Sequence, residues 1–259
     1  GGSPGKTGAP CLAALGGLRA GAGLVTAALP RDLNLVAELK LTAAMSQPLP
    51  QTSQGGLSLQ ALPVLLDLAR LRQAIVIGPG LGAEDESRQL VRQFLAQSTA
   101  PVVVDADGLN ALAGALIPGA IAAPQAVLTP HPGEAARLLA TDTAAVQADR
   151  PAAARALAVQ SGAVAVLKGA RSLVAHPDGR LWVNPTGNPL LASGGSGDVL
   201  AGLIGGLMAQ GLSALDAARA GVYLHGLAAD LAQADYGQRG LMAEELTAWL
   251  PKAFREVGE

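Results

Sequence analysis

Short apolar runs alternate along this chain with longer segments in which apolar residues recur at helical spacing. Each short run is rich in valine, isoleucine or alanine, and most of them end at a turn that contains glycine, proline or aspartate, which is typical of buried strands. The predicted strands are Gly23–Ala28, Ala74–Ile77, Pro101–Asp105, Ala126–Thr129 and Val164–Leu167. Strands that alternate with helices form βαβ units, so the pattern predicts an α/β fold with a mostly parallel sheet and helices on both faces.

Two later segments depart from this alternation. In Ser172–Val183, two apolar runs flank Pro-Asp-Gly, a turn sequence that predicts an antiparallel hairpin at the edge of the sheet. After the hairpin the periodicity predicts helices over Gly197–Gln210, Asp216–Asp235 and Ala243–Arg255. Earlier in the chain, Pro48–Leu57 is rich in proline, glutamine, serine and glycine, and we expect a mobile loop there.

No linker, repeat or low-complexity segment divides the chain. We therefore expect residues 1–259 to form a single domain. The segment Gly1–Gly8 has the composition of a loop that follows a strand, yet no strand stands before it. The first strand of the fold is thus expected to be missing before Gly1.

Composition narrows the possible partners. Only 15% of the residues are charged and the net charge is −2, so no basic face is expected that could neutralise a nucleic-acid backbone. No apolar segment reaches the roughly 20 residues that a bilayer span needs, so we expect no membrane partner. The single cysteine, Cys11, cannot form an internal disulfide, which favours a cytoplasmic setting.

The motif Gly-Gly-Ser-Gly-Asp carries the clearest chemical signal. Its glycines allow a tight turn, and the apolar helix that follows adds the positive end of its dipole, so the amides of Gly195, Ser196 and Gly197 are predicted to form an anion hole. A carboxylate beside a bound anion is unfavourable for binding alone. Asp198 is therefore predicted to take a proton from a hydroxyl that attacks a phosphoryl group. The alternative is that Asp198 only completes a helix N-terminus.

Other nucleotide motifs do not occur. The sequence has no GxxxxGK[ST] loop, and no GxGxxG fingerprint stands in the first strand–helix turn. A hydride-transferring Rossmann enzyme is thereby disfavoured.

Five motifs in chain order resemble the ADP-dependent NAD(P)H-hydrate dehydratase family over residues 2 to 251. They are GPGLG, VVVDADGLNAL, LTPHPGE, VLKG and NPTGNPLLASGGSGDVLAGLIGGLMAQG. The resemblance implies a ribokinase-like three-layer sandwich. It also implies a repair reaction in which the S epimer of hydrated NADH or NADPH is dehydrated to the reduced cofactor, with ADP or ATP and Mg²⁺. Phosphorylation of the ring hydroxyl followed by loss of phosphate is the implied route.

The resemblance also implies roles for individual residues. It places Asp198 at the reacting group and Gly197 at the nucleotide. The substrate-binding positions are Ala9, Gly80, His131 and Asp198, and the nucleotide-binding positions are Lys168, Gly169, Ala170, Arg171, Ser172 and Gly197. Related vitamin kinases have an acid near magnesium at the place of Glu134, which makes Glu134 a candidate for positioning Mg²⁺. On residue type alone, Lys168 could instead end a strand in solvent and His131 could cap a helix.

Five further residues complete the prediction. Asp105 and Asp107 end a strand in the ligand-facing layer, so one of them is expected in the pocket, although Asp107 could equally cap a helix. His225 lies on an apolar helical face, where a packed, hydrogen-bonded histidine is expected. Leu190–Leu191 stands where the family commonly has Gly-Met, which affects the expected shape of the substrate pocket.

Other assignments stay open at this stage. A small-molecule, vitamin-precursor kinase of the ribokinase superfamily would share the glycine-rich loop and the sheet, and a nucleotide-binding module without turnover would share the phosphate site. The resemblance further implies a homo-oligomer and an NAD(P)H-hydrate epimerase as a partner, either fused or separate.

Overall fold

Two groups of strands form the framework of the computed structural model, which describes residues 1–258. Strands β1 (Thr26–Pro30) and β2 (Met45–Leu49) pair with each other in parallel. The other strands form a six-stranded sheet in chain order, namely β3 (Ile75–Ile77), β4 (Val102–Val104), β5 (Ala126–Leu128), β6 (Val164–Leu167), β7 (Leu173–Ala175) and β8 (Leu181–Val183). Pairs from β3 to β6 are parallel and those from β6 to β8 are antiparallel, which confirms the mostly parallel sheet and its edge hairpin.

Helices cover both faces of the sheet. They are α1 (Gly8–Arg19), α2 (Asn34–Lys40), α3 (Leu62–Arg70), α4 (Asp85–Gln97), α5 (Asp107–Leu112), α6 (Pro132–Leu138), α7 (Thr143–Ala148), α8 (Arg150–Ser161), α9 (Ser196–Ala209), α10 (Ala214–Tyr236) and α11 (Ala243–Glu256). Successive strand residues point to opposite faces, so Val102 and Val104 pack into a core with α4 and α8, whereas Val103 packs into a core with α9 and α10. The three layers confirm the predicted α/β architecture.

The prediction of a mobile loop over Pro48–Leu57 is partly wrong. Pro48 and Leu49 belong to β2, where they pair with Leu29 and Pro30. The sequence Met45–Leu49 has no apolar run, because β2 is an edge strand with little buried surface. A proline is tolerated there, since an edge strand can dispense with one N–H donor. Beyond β2, the segment closes in a turn bridged by Gln51 and Leu57.

Close packing of α1 on α9 fixes the position of the glycine turn that begins α9. A Cβ atom at Gly202 would overlap the carbonyl oxygen of Ala13, and one at Gly16 would overlap the carbonyl oxygen of Val199. The two helix backbones therefore touch, which only glycine permits. This contact brings Leu12, in the second turn of α1, against Gly195 at the start of α9.

No helix within residues 1–258 is both long and apolar enough to cross a bilayer.

Candidate active site

The turn that starts α9 is held from two sides. Gly195 is the N-cap residue and has a φ of 92°, a left-handed conformation that favours glycine. The Ser196 hydroxyl donates to the carbonyl of Leu191, and Nε2 of His225 donates to the carbonyl of Ser196 at 2.9 Å. The first N–H groups of a helix have no partner within the helix, so this fixed turn presents them at the site. Of the predicted anion hole, the Ser196 N–H is already directed at the Ser193 carbonyl, at 3.4 Å.

Asp198 lies in the first turn of α9, half-buried. Burial and the nearby Asp105 raise the pKa of the Asp198 carboxyl to about 7, although Lys168 opposes the rise. The N-cap position belongs to Gly195, and within residues 1–258 no group donates a hydrogen bond to the Asp198 carboxylate. Asp198 therefore does not cap the helix. A carboxylate that gains and loses its proton near neutral pH is suited to act as a general base.

Lys168 is the cation of the site. Its ammonium donates to Oδ1 of Asp105 at 2.7 Å, and the Thr129 hydroxyl donates to the same oxygen at 2.7 Å. The Lys168 side chain is only 18% exposed. A Cβ atom at Gly197 would lie 3.2 Å from the Lys168 ammonium, so the charge lies beside the first turn of α9. Lys168 thus does not end its strand in solvent.

The charge of Lys168 is stabilised by its surroundings. Burial lowers the pKa of its ammonium, but Asp105, Glu134 and Asp198 raise that pKa by more. The side chain therefore stays protonated at neutral pH and can hold a phosphate. Asp105, Thr129 and Lys168 follow or end the adjacent strands β4, β5 and β6, and this is where parallel sheets bind ligands.

Asp107 fixes a turn and is not a helix cap. It is the first residue of α5, where the N-cap residue is Ala106 with a φ of 48°. Oδ2 of Asp107 accepts from the Gly82 N–H at 2.9 Å and from the Lys6 ammonium at 3.1 Å. The carboxylate thereby ties the Gly-Pro-Gly-Leu-Gly turn to the N-terminal loop.

His131 and Glu134 form a capping box at the start of α6. Nδ1 of His131 accepts from the N–H groups of Gly133 and Glu134, and Oε2 of Glu134 accepts from the His131 N–H at 2.8 Å. The His131 side chain remains 52% exposed, so its outer edge can still contact a ligand. Glu134 is buried, and one of its oxygens is committed to the cap.

Ala9 and Gly80, both predicted to bind the substrate, lie against each other. Gly80 has a φ of 65°, and a Cβ atom there would stand 3.1 Å from the Ala9 Cβ. The Ser3 hydroxyl donates to the Gly80 carbonyl at 2.8 Å. These contacts join the N-terminal loop, the start of α1 and the turn after β3 into one wall beside the α9 turn.

The predicted nucleotide segment is a turn directly after Lys168. Gly169, Ala170 and Arg171 are exposed, and the Ser172 hydroxyl closes the turn by donating to the Gly169 carbonyl at 3.2 Å. Arg150 supports it from α8, because its guanidinium donates to the carbonyls of Leu167 and Lys168. The segment is therefore accessible to a ligand and fixed at its base.

The loop before the α9 turn is tied to α10. Asn184 and Thr186 donate to carbonyls of α10, and Asp230 accepts from Gly187 and Asn188. Leu190 is buried in the core, and Leu191 lies close to Gly187. The Leu190–Leu191 pair therefore packs inward within a fixed loop.

Sequence reasoning missed two supporting residues, Thr129 and Arg150. Thr129 directly follows β5 in the ligand-facing layer, a position that could have identified it. The expectation that His225 is packed and hydrogen-bonded is confirmed, and its partner is the Ser196 carbonyl, 29 residues away in the chain. Arg150 stands in no pattern, and only the tertiary structure shows its role.

The acids of the site do not form a metal cage. Within residues 1–258, no group of three or more histidine, cysteine, aspartate or glutamate side chains could hold a metal ion. Asp105, Asp107 and Glu134 all accept hydrogen bonds from the protein. Mg²⁺ usually keeps several of its waters and binds through substrate phosphates, so it does not require a cage of protein ligands. The residues therefore fit Mg²⁺ that arrives with a nucleotide.

Comparison with known proteins gives a consistent result. A family model described as NAD(P)H-hydrate dehydratase matches residues 1–252. A bifunctional NAD(P)H-hydrate repair enzyme from Moorella thermoacetica is 48% identical over 261 residues, which cover 100% of this chain and 49% of the relative. An ADP-dependent (S)-NAD(P)H-hydrate dehydratase from Neisseria meningitidis is 42% identical and covers 95% of this chain and 80% of the relative. The chain spans about half the length of its bifunctional relatives.

Solved structures agree with the sequences. An ADP/ATP-dependent NAD(P)H-hydrate dehydratase from Bacillus subtilis, co-crystallised with ATP and Mg²⁺, superimposes with a TM-score of 0.82 at 33% identity, covering 98% of this chain and 87% of that one. A hydroxyethylthiazole kinase from Pyrococcus horikoshii has a TM-score of 0.63 at 19% identity, covering 95% of each chain, and shows the shared fold alone. The ribokinase-like fold predicted from the motifs is confirmed.

Proposed function

Because the chain belongs to the NAD(P)H-hydrate dehydratase family, we propose that it converts the S epimer of hydrated NADH or NADPH back to the reduced cofactor, using ADP or ATP. The single observation that carries this proposal is the position of Asp198. Its carboxylate is free of hydrogen bonds from residues 1–258, has a pKa of about 7, and shares the first turn of α9 with backbone N–H groups that have no partner within the helix.

In the first step, Asp198 takes the proton from the ring hydroxyl of the hydrate. The hydroxyl oxygen attacks the terminal phosphorus of the nucleotide, a new P–O bond forms, and the bond to the leaving nucleotide breaks. Backbone N–H groups at Gly197 and Asp198 and the ammonium of Lys168 stabilise the negative charge of the transferred group. Asp105 and Thr129 hold Lys168 in place for this role.

In the second step, phosphate leaves the ring. The ring nitrogen lone pair supplies the electrons that break the C–O bond, and loss of a proton from the neighbouring carbon restores the double bond. With ADP the products are reduced cofactor, AMP and phosphate, and with ATP the nucleotide product is ADP. The route exchanges hydroxide, a poor leaving group at neutral pH, for phosphate, a good one.

The two ligands occupy different sides of the α9 turn. The nucleotide contacts Gly197 and the exposed turn of Lys168, Gly169, Ala170, Arg171 and Ser172. The hydrated ring lies against Ala9, Gly80 and the exposed edge of His131, within reach of Asp198. Mg²⁺ accompanies the nucleotide phosphates and neutralises part of their charge, and Glu134 contributes to the negative field around it.

A vitamin-precursor kinase is the competing function, since a hydroxyethylthiazole kinase shares the fold. Product analysis separates the two. The protein is mixed with NADH hydrate and ADP or ATP, and the near-ultraviolet absorbance of the dihydronicotinamide ring and the free phosphate are followed together. We expect both to rise in equal amounts. A stable phosphate ester formed without recovery of absorbance would favour the kinase.

The proposal extends to the setting of the reaction. The bifunctional relatives carry further polypeptide beside the matched part, and we propose that an NAD(P)H-hydrate epimerase, fused or separate, supplies the S epimer. A homo-oligomer in the cytoplasm, without nucleic acid or membrane as a partner, fits the family and the composition.

A further inference from the structure

Arg137 presents its charge beside the proposed position of the hydrated ring. A Cβ atom at Gly133 would lie 2.9 Å from Cε1 of His131 and 3.9 Å from Nη1 of Arg137. Side chains on a helix lean toward its N-terminus, so the guanidinium reaches back along α6 to the same glycine that the His131 ring covers. Arg137 therefore lies next to the exposed edge of His131.

A neutral partner holds the Arg137 side chain in place. Its Nε donates to Oδ1 of Asn110 at 2.9 Å. The Asn110 amide nitrogen in turn donates to Oδ1 of Asp107 at 3.1 Å, which turns the amide oxygen toward Arg137. Because Asn110 carries no charge, this bond orients the guanidinium without neutralising it. No carboxylate of residues 1–258 pairs with Arg137, and the residue is exposed.

Two other cations near the site already have carboxylate partners. Lys168 bonds to Asp105 on the nucleotide side, and Lys6 bonds to Asp107. Arg137 differs from both, because the N–H groups of its two terminal nitrogens remain for a ligand. A guanidinium can donate two parallel N–H groups to one phosphate, a geometry that fixes the position of the phosphate as well as binding it.

The hydrated cofactor carries a phosphate group that has to be placed somewhere near its ring. The ring is joined through its ribose to a negatively charged pyrophosphate. The carboxylates of Asp105, Glu134 and Asp198 repel that charge, so the pyrophosphate is expected to leave the ring toward a cation that is not neutralised. With the ring against the exposed edge of His131, that cation is Arg137.

We propose that Arg137 binds the pyrophosphate of hydrated NADH or NADPH and that Asn110 positions it, an inference that rests on the proposed function. The 2′-phosphate of hydrated NADPH offers the same chemistry, but it lies at the far end of the dinucleotide from the ring. The closeness of Arg137 to His131 therefore favours the pyrophosphate. The contact also gives the site a means to prefer a dinucleotide over a small alcohol without phosphate.

The test measures the binding of NADH hydrate by calorimetry. AMP is present to fill the nucleotide site, and no phosphoryl donor is added, so that no turnover occurs. Arg137→Gln should raise the Kd at least about tenfold, because a charge-assisted hydrogen bond is lost. Arg137→Lys keeps the charge without the paired N–H groups, so its Kd should fall between those of Arg137→Gln and the unchanged chain.

Arg155→Gln is the matched control. Nε of Arg155, on α8, donates to the neutral carbonyl of Gly179 at 3.0 Å, so this guanidinium is held in the same way. Gly179 lies in the turn between β7 and β8, at the opposite edge of the sheet from the site. The Kd for NADH hydrate should therefore be unaltered in Arg155→Gln.

The same titration with NADPH hydrate separates the two phosphates. We expect Arg137→Gln to weaken both hydrates by a similar factor and to leave the affinity for ADP unchanged. A loss confined to NADPH hydrate would assign Arg137 to the 2′-phosphate and overturn the proposal. An equal loss of ADP affinity, or the same Kd for NADH hydrate in Arg137→Gln and the unchanged chain, would also overturn it.

This outcome is distinguishable from that of the proposed function. If Arg137→Gln weakens the hydrate but the unchanged chain does not restore the reduced cofactor with ADP or ATP, the reaction is wrong and the phosphate contact stands. If the unchanged chain restores the cofactor and Arg137→Gln binds the hydrate as tightly, only the phosphate contact is wrong.

Discussion

Replacing Asp105 with asparagine should move the pH dependence of turnover to lower pH. Asp105 lies near Asp198, and its negative charge is one of the causes that raise the pKa of the Asp198 carboxyl to about 7. Asparagine has the same shape and can still accept from Lys168 and Thr129, but it carries no charge. Lys168 is then also freer to attract Asp198. Both effects lower the pKa of Asp198.

The magnitude follows from the ionised fraction of the base. With a pKa of about 7, about one tenth of Asp198 is ionised at pH 6 and about nine tenths at pH 8, so kcat/KM should rise roughly tenfold between them. The carboxylate is the active form, so activity is gained as pH rises through the pKa and is level above it. In Asp105→Asn the rise should begin at lower pH, so the variant keeps a larger share of its plateau activity at pH 6.

The assay is the initial rate of dehydration at limiting hydrate, measured from pH 5 to 9. The nucleotide and the hydrate ionise in the same way with every variant, so a difference in pH profile between variants must come from the protein. Thr129→Val is the matched control, because it removes a hydrogen bond to Asp105 and leaves the charge. Its plateau can fall, but its midpoint should stay near that of the unchanged chain. Coincident midpoints for the unchanged chain and Asp105→Asn would refute the electrostatic coupling of Asp105 to Asp198.

Three further predictions concern other contacts. Asp198→Asn should lower kcat by ~10²-fold or more, with ADP affinity by calorimetry retained. The same variant should stabilise the fold by roughly 1–3 kcal/mol at pH 8 but not at pH 4. The reason is that the raised pKa of Asp198 makes its ionised carboxylate destabilising only above the ordinary pKa of aspartate. Full activity in this variant would exclude Asp198 as the base. Lys168→Ala should weaken ADP binding and lower the free energy of unfolding by about 3 kcal/mol in denaturant, because it leaves the buried Asp105 carboxylate unpaired. The double variant Asp105→Asn with Lys168→Met should recover most of the stability but not the ADP binding. Recovery of both would show that Lys168 is only structural. Gly202→Ala should destabilise the fold by about 2 kcal/mol or more in the same assay, because its Cβ overlaps the Ala13 carbonyl. Gly8→Ala is the control, since its Cβ has free space and the change should be neutral. Equal effects of the two variants would contradict the close contact of α1 with α9.

The fold was largely predictable because its strands are buried on both faces and read as continuous apolar runs. Val102–Val104 and Val164–Leu167 are examples, and the turns after them were correctly expected to gather at one edge of the sheet. β2 escaped prediction, since an edge strand with proline and glutamine has no such run. Its existence depends on pairing with β1, a tertiary contact that periodicity does not encode.

The sequence predicted which loops form the site, but not which side chains contact one another within it. The glycine turn before α9 has a local signature, because left-handed φ and a helix N-terminus are properties of a few consecutive residues. The pair of Lys168 with Asp105 joins positions 63 residues apart, and its formation depends on the order of β4, β5 and β6 in the sheet. The sequence left His131 as either a ligand-binding residue or a helix cap. The structure shows that it caps α6 while the outer edge of its ring stays exposed.

The most direct measurement is a crystal structure of Asp198→Asn with ADP, Mg²⁺ and hydrated NADH. We expect the terminal phosphate within hydrogen-bond distance of the backbone N–H of Gly197 and of the Lys168 ammonium. The hydrate hydroxyl should lie between that phosphorus and the side chain at position 198. A terminal phosphate bound away from the start of α9, or a ring hydroxyl out of reach of position 198, would contradict the proposed chemistry.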